Sequence, residues 1–141
     1  MRPLCAILAS FAVGFAVSLD AAPALAAPAA AVSDEAQVRA VLDGMNGSYN
    51  REDFASFAAH VCAPMRRAAG FEAEWYASRK ADGPTRIKVN SVTVAGEPAV
   101  TAVATVRFAA ANQPSAKTFD IDFLREGNHW KACQYHPTRS I

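Results

Sequence analysis

The sequence predicts an α+β domain in which N-terminal helices pack on a curved, mostly four-stranded antiparallel sheet. Three observations carry this expectation. Between residues 33 and 82 apolar side chains recur at the three-and-four spacing of helices. From Thr85 onward the period changes to alternation, in runs separated by the turn signals Gly96-Glu97-Pro98, Asn112-Gln113-Pro114 and Glu126-Gly127-Asn128. Cys62 stands in the helical half and Cys133 in the last alternating run, where a bridge would pin the two halves together.

The first quarter of the 141 residues reads as an address. Arg2 opens it, residues 4–19 form an apolar block, and Ala24 and Ala26 supply the small-residue pattern of a cleavage site, so residues 1–26 are assigned as a signal peptide. Cleavage after Ala26 leaves about 115 residues. A spanning helix needs roughly 20 apolar residues, and this block is shorter and runs into Asp20 and Pro23. A secreted or cell-envelope protein without a membrane span after cleavage is therefore expected. Cys5 precedes the apolar block, so it is misplaced for a lipidated N-terminus and leaves with the signal. Two cysteines remain, and in an oxidising compartment an even number favours a Cys62–Cys133 disulfide over thiol chemistry.

Charge excludes one class of function. Lys and Arg number 14 against 13 Asp and Glu, and the predicted cleavage removes Arg2 and Asp20 together, so the net charge stays at +1. The basic pairs Arg66-Arg67, Arg79-Lys80 and Arg86-x-Lys88 fall on different elements. No phosphate-tracking stripe results, and nucleic acid is not an expected partner.

Residues 27–32 are a small-residue linker, and residues 33–141 form the single domain. Ser33 or Asp34 caps a first helix whose buried face is Val38, Val41, Leu42, Met45 and Tyr49. Gly44 and Gly47 weaken it by about 1 kcal/mol each relative to alanine, or admit a close neighbour. Asn46-Gly47-Ser48 matches a glycosylation acceptor but sits mid-helix, and is read as chance. Asn50 ends this helix and caps a second, spanning about residues 51–62, with Asp53 at its third position. Phe54, Phe57, Ala58 and Val61 form its apolar stripe, with His60 and Cys62 on the flanks. Pro64 marks a break. A third helix, about residues 71–79, pairs Phe71 with Trp75 and stops at Asp82-Gly83-Pro84.

In the first strand Ile87 and Val89 face one way, whereas Val92 and Val94 continue with opposite parity, which implies a bulge or sharp bend near Asn90-Ser91. The second strand, about residues 100–109, turns Ala102, Ala104, Val106 and Phe108 to one face and Thr101, Val103, Thr105 and Arg107 to the other. The third points Phe119, Ile121 and Phe123 inward and Asp120 and Asp122 outward, solvated beside Arg107 or Lys117. The last, residues 129–136, buries Trp130 and ends at Pro137.

Helices followed by a meander with a bulged first strand describe a cone. The chain resembles the nuclear transport factor 2-like superfamily in Tyr49-Asn50-x-x-Asp53-Phe54 with Phe57 and Val61-Cys62. The likeness continues in Ile87-x-Val89-x-Ser91-Val92-x-Val94-x-Gly96 and in Phe123-x-Arg125-Glu126-Gly127-x-x-Trp130-Lys131-x-Cys133. Within that superfamily it is similar to small exported actinobacterial proteins called lumazine-binding-like. The resemblance covers essentially the whole mature chain and implies a cavity inside the cone. The superfamily includes isomerases, dehydratases, epoxide hydrolases and polyketide cyclases that work in that cavity. Alignment with the ketosteroid isomerases around Asn50 to Asp53 puts their oxyanion-stabilising tyrosine at Met45 and replaces the strand bearing their aspartate base by residues 62–67. Both roles are vacant.

The candidate cavity residues are Met45, Tyr49, Phe57 and Trp75, which offer one hydroxyl and no obvious base. His60-x-Cys62 with Cys133-x-x-His136 has the residue types of a zinc site. Yet side chains two apart on a helix diverge by about 200°, and those three apart on a strand take opposite faces, so no metal is expected. The sequence has no glycine-rich phosphate loop and no nucleophile elbow, and no cofactor is expected. These observations predict a secreted, non-catalytic module that binds a small hydrophobic ligand in an apolar concavity, or docks a protein partner or second copy through its sheet. The alternative is a cavity enzyme of the isomerase or cyclase type with an unrecognised base such as His60.

Overall fold

A computed structural model of the protein describes residues 31–138. The assigned signal peptide and most of the linker lie outside the described residues. Helix α1 (Asp34–Asn50) starts on Ser33, whose Oγ accepts from the Ala36 amide at 3.2 Å. Asp34 and Glu35 occupy its first turn, where the helix end is partially positive.

The junction after α1 differs from the sequence expectation. Helix α2 (Phe54–Ala58) is five residues long and is capped by Asp53. The Asp53 carboxylate accepts from Ser56 N at 3.1 Å and Ser56 Oγ at 2.6 Å, and these bonds hold its pKa below the ordinary carboxylate value. Glu52, at φ 58°, breaks the chain between the two helices. Asn50 therefore stays the last residue of α1, and its side chain turns to Thr85. It donates to Thr85 O and accepts from Thr85 N, both at 2.8 Å, imitating a strand ladder. Asn46 joins the same knot by accepting from Thr85 Oγ1 at 2.6 Å, which engages the amide of the apparent glycosylation acceptor.

Pro64 opens a helix where a break was expected: it sits in the first turn of α3 (Ala63–Arg66), where its missing N–H costs nothing. The Ala63 amide donates to Glu126 Oε2 at 2.9 Å. Helix α4 (Phe71–Asp82) runs to the stop signal, with Gly83 at φ 68° as its cap.

Strands β1 (Thr85–Ala95), β2 (Thr101–Ala110), β3 (Lys117–Glu126) and β4 (His129–Pro137) form a curved, unclosed antiparallel meander in chain order. The register of β1 on β2 slips between Val89 and Ser91, so the parity change expected as a bulge or bend is a bulge. A second slip was not foreseen. Asp122 lies opposite Gln134 and Phe123 opposite Ala132, so Cys133 is an extra residue in β4.

The helices cover one sheet face. Val38 and Leu42 of α1 cluster with Ala102, Ala104, Val106, Ile121, Phe123, Trp130 and Ala132. Trp130 is 2% exposed, and its Nε1 donates to Asp34 Oδ1 at 3.0 Å. Phe119, whose inward direction was correctly expected, is only half-buried because it lines the cavity described below. The outward aspartates find partners other than those expected. Asp120 accepts from Thr105 Oγ1 at 2.7 Å, and Asp122 pairs with His136 at 3.4 Å. The register explains this, since Arg107 faces Thr118 and Lys117 faces Phe108.

Cys62 and Cys133 form a disulfide across 71 residues of chain. Beside it, Cys62 N donates to Ala132 O at 2.8 Å and Ala132 N to His60 O at 2.9 Å, so Val61 joins β4 as a short parallel bridge. By loop-closure entropy, a bridge over such a span stabilises the fold by about 4 kcal/mol. Among the described residues no helix is long and apolar enough to cross a membrane.

Candidate functional site

The concave face of the sheet and the helices enclose a cavity of about 380 Å³, the size of a small-molecule site. All four residues picked from the sequence line it. Leu42, Met45, Asn46 and Tyr49 come from α1, Phe57 from α2, and Phe71 and Trp75 from α4. Ile87, Phe108 and Phe119 supply the sheet side.

Trp75 is the hub of the aromatic wall. Its ring meets Tyr49 edge-on at 5.4 Å and contacts Phe57 at 5.3 Å and Phe54 at 5.4 Å. Its Nε1–H is buried and has no hydrogen-bond partner among the described residues. Leaving such a donor unpaired costs about 1–3 kcal/mol, and strain of that kind concentrates at functional sites.

The rim is more polar than the sequence suggested. Glu74, Ser78 and Asp82 of α4 line the cavity together with Gln113, Lys117 and Tyr135. A hydrogen-bonded chain runs along one side of it. Gln113 Nε2 donates to Asp82 Oδ1 at 2.8 Å, Ser78 Oγ donates to Asp82 Oδ2 at 3.4 Å, and Ser78 Oγ meets Tyr49 Oη at 2.9 Å. With the Ser78 proton committed to the carboxylate, the Tyr49 hydroxyl is the donor in the last bond. Burial raises the Tyr49 pKa, so the phenol is neutral at physiological pH. Arg79, whose guanidinium lies 5.9 Å from the Tyr49 ring centroid, is occupied with backbone: it donates to Tyr49 O at 3.0 Å and Asn50 O at 3.2 Å.

Tyr135 reaches the cavity through the second bulge. The extra residue at Cys133 reverses the parity of β4, so that Tyr135 lies opposite the inward Ile121 and its ring meets Phe119 at 6.1 Å. The lining thus holds more than the one hydroxyl expected, and Glu74 and Asp82 add two carboxylates to it. The histidines lie elsewhere. His60 packs its imidazole against Gly44 of α1 and is absent from the cavity lining, and His136 faces Asp122. The cysteines of the apparent metal set are bonded to each other, which removes both thiolates as ligands.

The fold is one that known structures share. An NTF-2-like protein of unknown function from Shewanella oneidensis superposes with a TM-score of 0.57 at 12% identity, covering 71% of this chain and 94% of the other. A SEC-C motif containing protein from Rhodopseudomonas palustris gives a TM-score of 0.60 at 12% identity over 71% of this chain and 77% of its own. A protein of unknown function with a cystatin-like fold from Methylobium petroleophilum gives 0.51 at 14% identity over 75% and 80%. No protein-family model and no curated protein matches the chain. The chain has the nuclear transport factor 2-like, cystatin-like fold.

Proposed function

We propose that the protein is an exported binding module whose cavity takes one small, largely apolar ligand, without catalysing its conversion. The cavity itself carries this reading: its volume suits a small molecule and its walls are mainly aromatic and aliphatic, with polar groups in the minority. Burial of apolar surface supplies the affinity, and the rim orients the ligand. The disulfide accords with an oxidising compartment and so with export. The outer sheet face is the weaker candidate. Its exposed apolar side chains, Val103 at 40% and Leu124 at 42%, are separated by polar neighbours and offer less apolar surface to a protein partner or second copy.

A second reading, a cavity enzyme of the isomerase or cyclase type, draws on Asp82. This carboxylate lines the cavity beside two hydroxyls, whereas His60 does not reach it. Asp82 already accepts from Gln113 and Ser78, which suits an anchoring acceptor better than a free base.

The test is a titration with N-phenyl-1-naphthylamine, a neutral apolar fluorophore. Saturable one-to-one binding that quenches tryptophan emission is expected, and unsaturable or undetectable binding overturns the proposal. Substrate turnover lost in Asp82→Asn with probe binding intact would install the enzyme reading.

A further inference from the structure

The geometry points to an organic cation as the occupant: an amine-bearing amphiphile whose ammonium group lies at the α4 side of the rim and whose apolar body fills the aromatic interior. This inference rests on the proposed binding function and specifies its ligand.

The first argument is hydrogen-bond polarity. Glu74, Ser78 and Asp82 stand at i, i+4 and i+8 on α4, one above another, and all three line the cavity. Two are carboxylates, which only accept. The Ser78 proton is directed to Asp82 and the Tyr49 proton to Ser78, so Tyr49 presents an oxygen lone pair as its remaining function. A ligand group facing this wall must donate. An ammonium does so with three protons, an alcohol with one, and a carboxylate with none.

The second argument is charge. Glu74 and Asp82 oppose a single cationic lining side chain, Lys117 on β3, among the described residues, and Arg79 is engaged with backbone carbonyls. Asp82 is moreover the last residue of α4, where the partially negative helix end disfavours a carboxylate. A carboxylate there runs against the local preference, as residues at functional sites do.

The third argument is independent of both. The interior is lined by aromatic side chains, Tyr49, Phe57, Trp75 and Phe119 among them. Aromatic walls attract organic cations through the ring quadrupole while accepting their apolar portions.

Three isosteric probes test this: 4-phenylbutylamine, 4-phenylbutan-1-ol and 4-phenylbutanoate, each displacing N-phenyl-1-naphthylamine at pH 7 and low salt. The amine should bind about fivefold more tightly than the alcohol, the upper range for a solvent-exposed ion pair, and the carboxylate more weakly than either. The advantage of the amine over the alcohol should shrink as salt is raised, a readout that needs no variant. In a Glu74→Gln, Asp82→Asn protein with an unchanged melting midpoint, amine affinity should fall to that of the alcohol. An alcohol or carboxylate that binds as tightly as the amine, or an amine advantage indifferent to salt, overturns the cation assignment and leaves the binding function standing. Failure of all three to displace a bound fluorophore likewise overturns it, whereas a fluorophore that does not bind removes both.

Discussion

The imidazole of His60 occupies the space that a side chain at Gly44 would fill. A Cβ built on Gly44 would lie 2.7 Å from His60 Nε2 and 3.0 Å from Cε1. The glycine that weakens α1 is thus what lets the segment between α2 and α3 close onto it, with Ala132 N bonded to His60 O at 2.9 Å behind the ring. Alanine is normally favoured over glycine in a helix by about 1 kcal/mol. Gly44→Ala should instead destabilise the protein by about 1 kcal/mol, because the imidazole must leave its site. In a His60→Ala background the same substitution should stabilise. Chemical denaturation of the four proteins measures the reversal, and equal effects in both backgrounds would remove the steric account.

Burial and the charge of Lys131 lower the His60 pKa. The unfolded chain takes up this proton near the ordinary value of about 6.5, and the folded chain only at lower pH. Between the two values the unfolded state binds more protons, so the stability contribution is full above the unfolded value and declines as pH falls through it. Melting temperatures compared at pH 7.5 and 5 should drop more for the native protein than for His60→Gln. Identical drops would show that the acid sensitivity arises elsewhere.

What the sequence disclosed follows from which signals are periodic. The β1 bulge was legible because Ile87, Val89, Val92 and Val94 are apolar and change parity visibly. The bulge at Cys133 was not, because Lys131, Gln134 and His136 interrupt the apolar alternation of β4, and Tyr135 was lost from the cavity with it. Glu74 and Ser78 were not singled out, and Asp82 was read only as part of the helix stop. Yet at 100° per residue all three fall within about 60° of Phe71 on the helical wheel, on the same face as Trp75, and that angle was the available signal. Residue types alone gave Asn50 the cap of α2 that Asp53 makes, since either can cap a helix and the positive φ at Glu52 decides between them.

Trp130 ties three elements together. Its ring is buried in the cluster of α1 and the sheet, its Nε1 bonds Asp34 at the start of α1, and the Arg125 guanidinium lies 5.2 Å from its ring centroid while pairing with Asp34 at 3.2 Å. Trp130→Ala should cost about 3–5 kcal/mol. Trp130→Phe keeps most of the packing and should cost less, with about 1 kcal/mol assigned to the lost hydrogen bond. Urea midpoints followed by circular dichroism report both, and a midpoint unmoved by the alanine variant would place Trp130 outside the structural core.

Tyr49 separates the two contributions expected of the cavity. Its ring is part of the apolar wall, 5.4 Å from Trp75 and 6.4 Å from Phe57, while its hydroxyl serves only the rim through Ser78. Tyr49→Phe should therefore leave the affinity for N-phenyl-1-naphthylamine within about twofold, because this probe draws on burial and not on the rim. Tyr49→Ala removes the wall and should weaken the probe by about tenfold or more, the value of an aromatic surface taken out of the contact. His60→Gln should leave it unchanged, since no imidazole lines the cavity, and affinity should stay flat between about pH 5.5 and 8, where an ordinary histidine titrates. Fluorescence titrations of these variants across that range make the comparison. Should Tyr49→Phe lose as much affinity as Tyr49→Ala, or should His60→Gln abolish binding with the melting midpoint unchanged, the probe would not be held by the cavity as described.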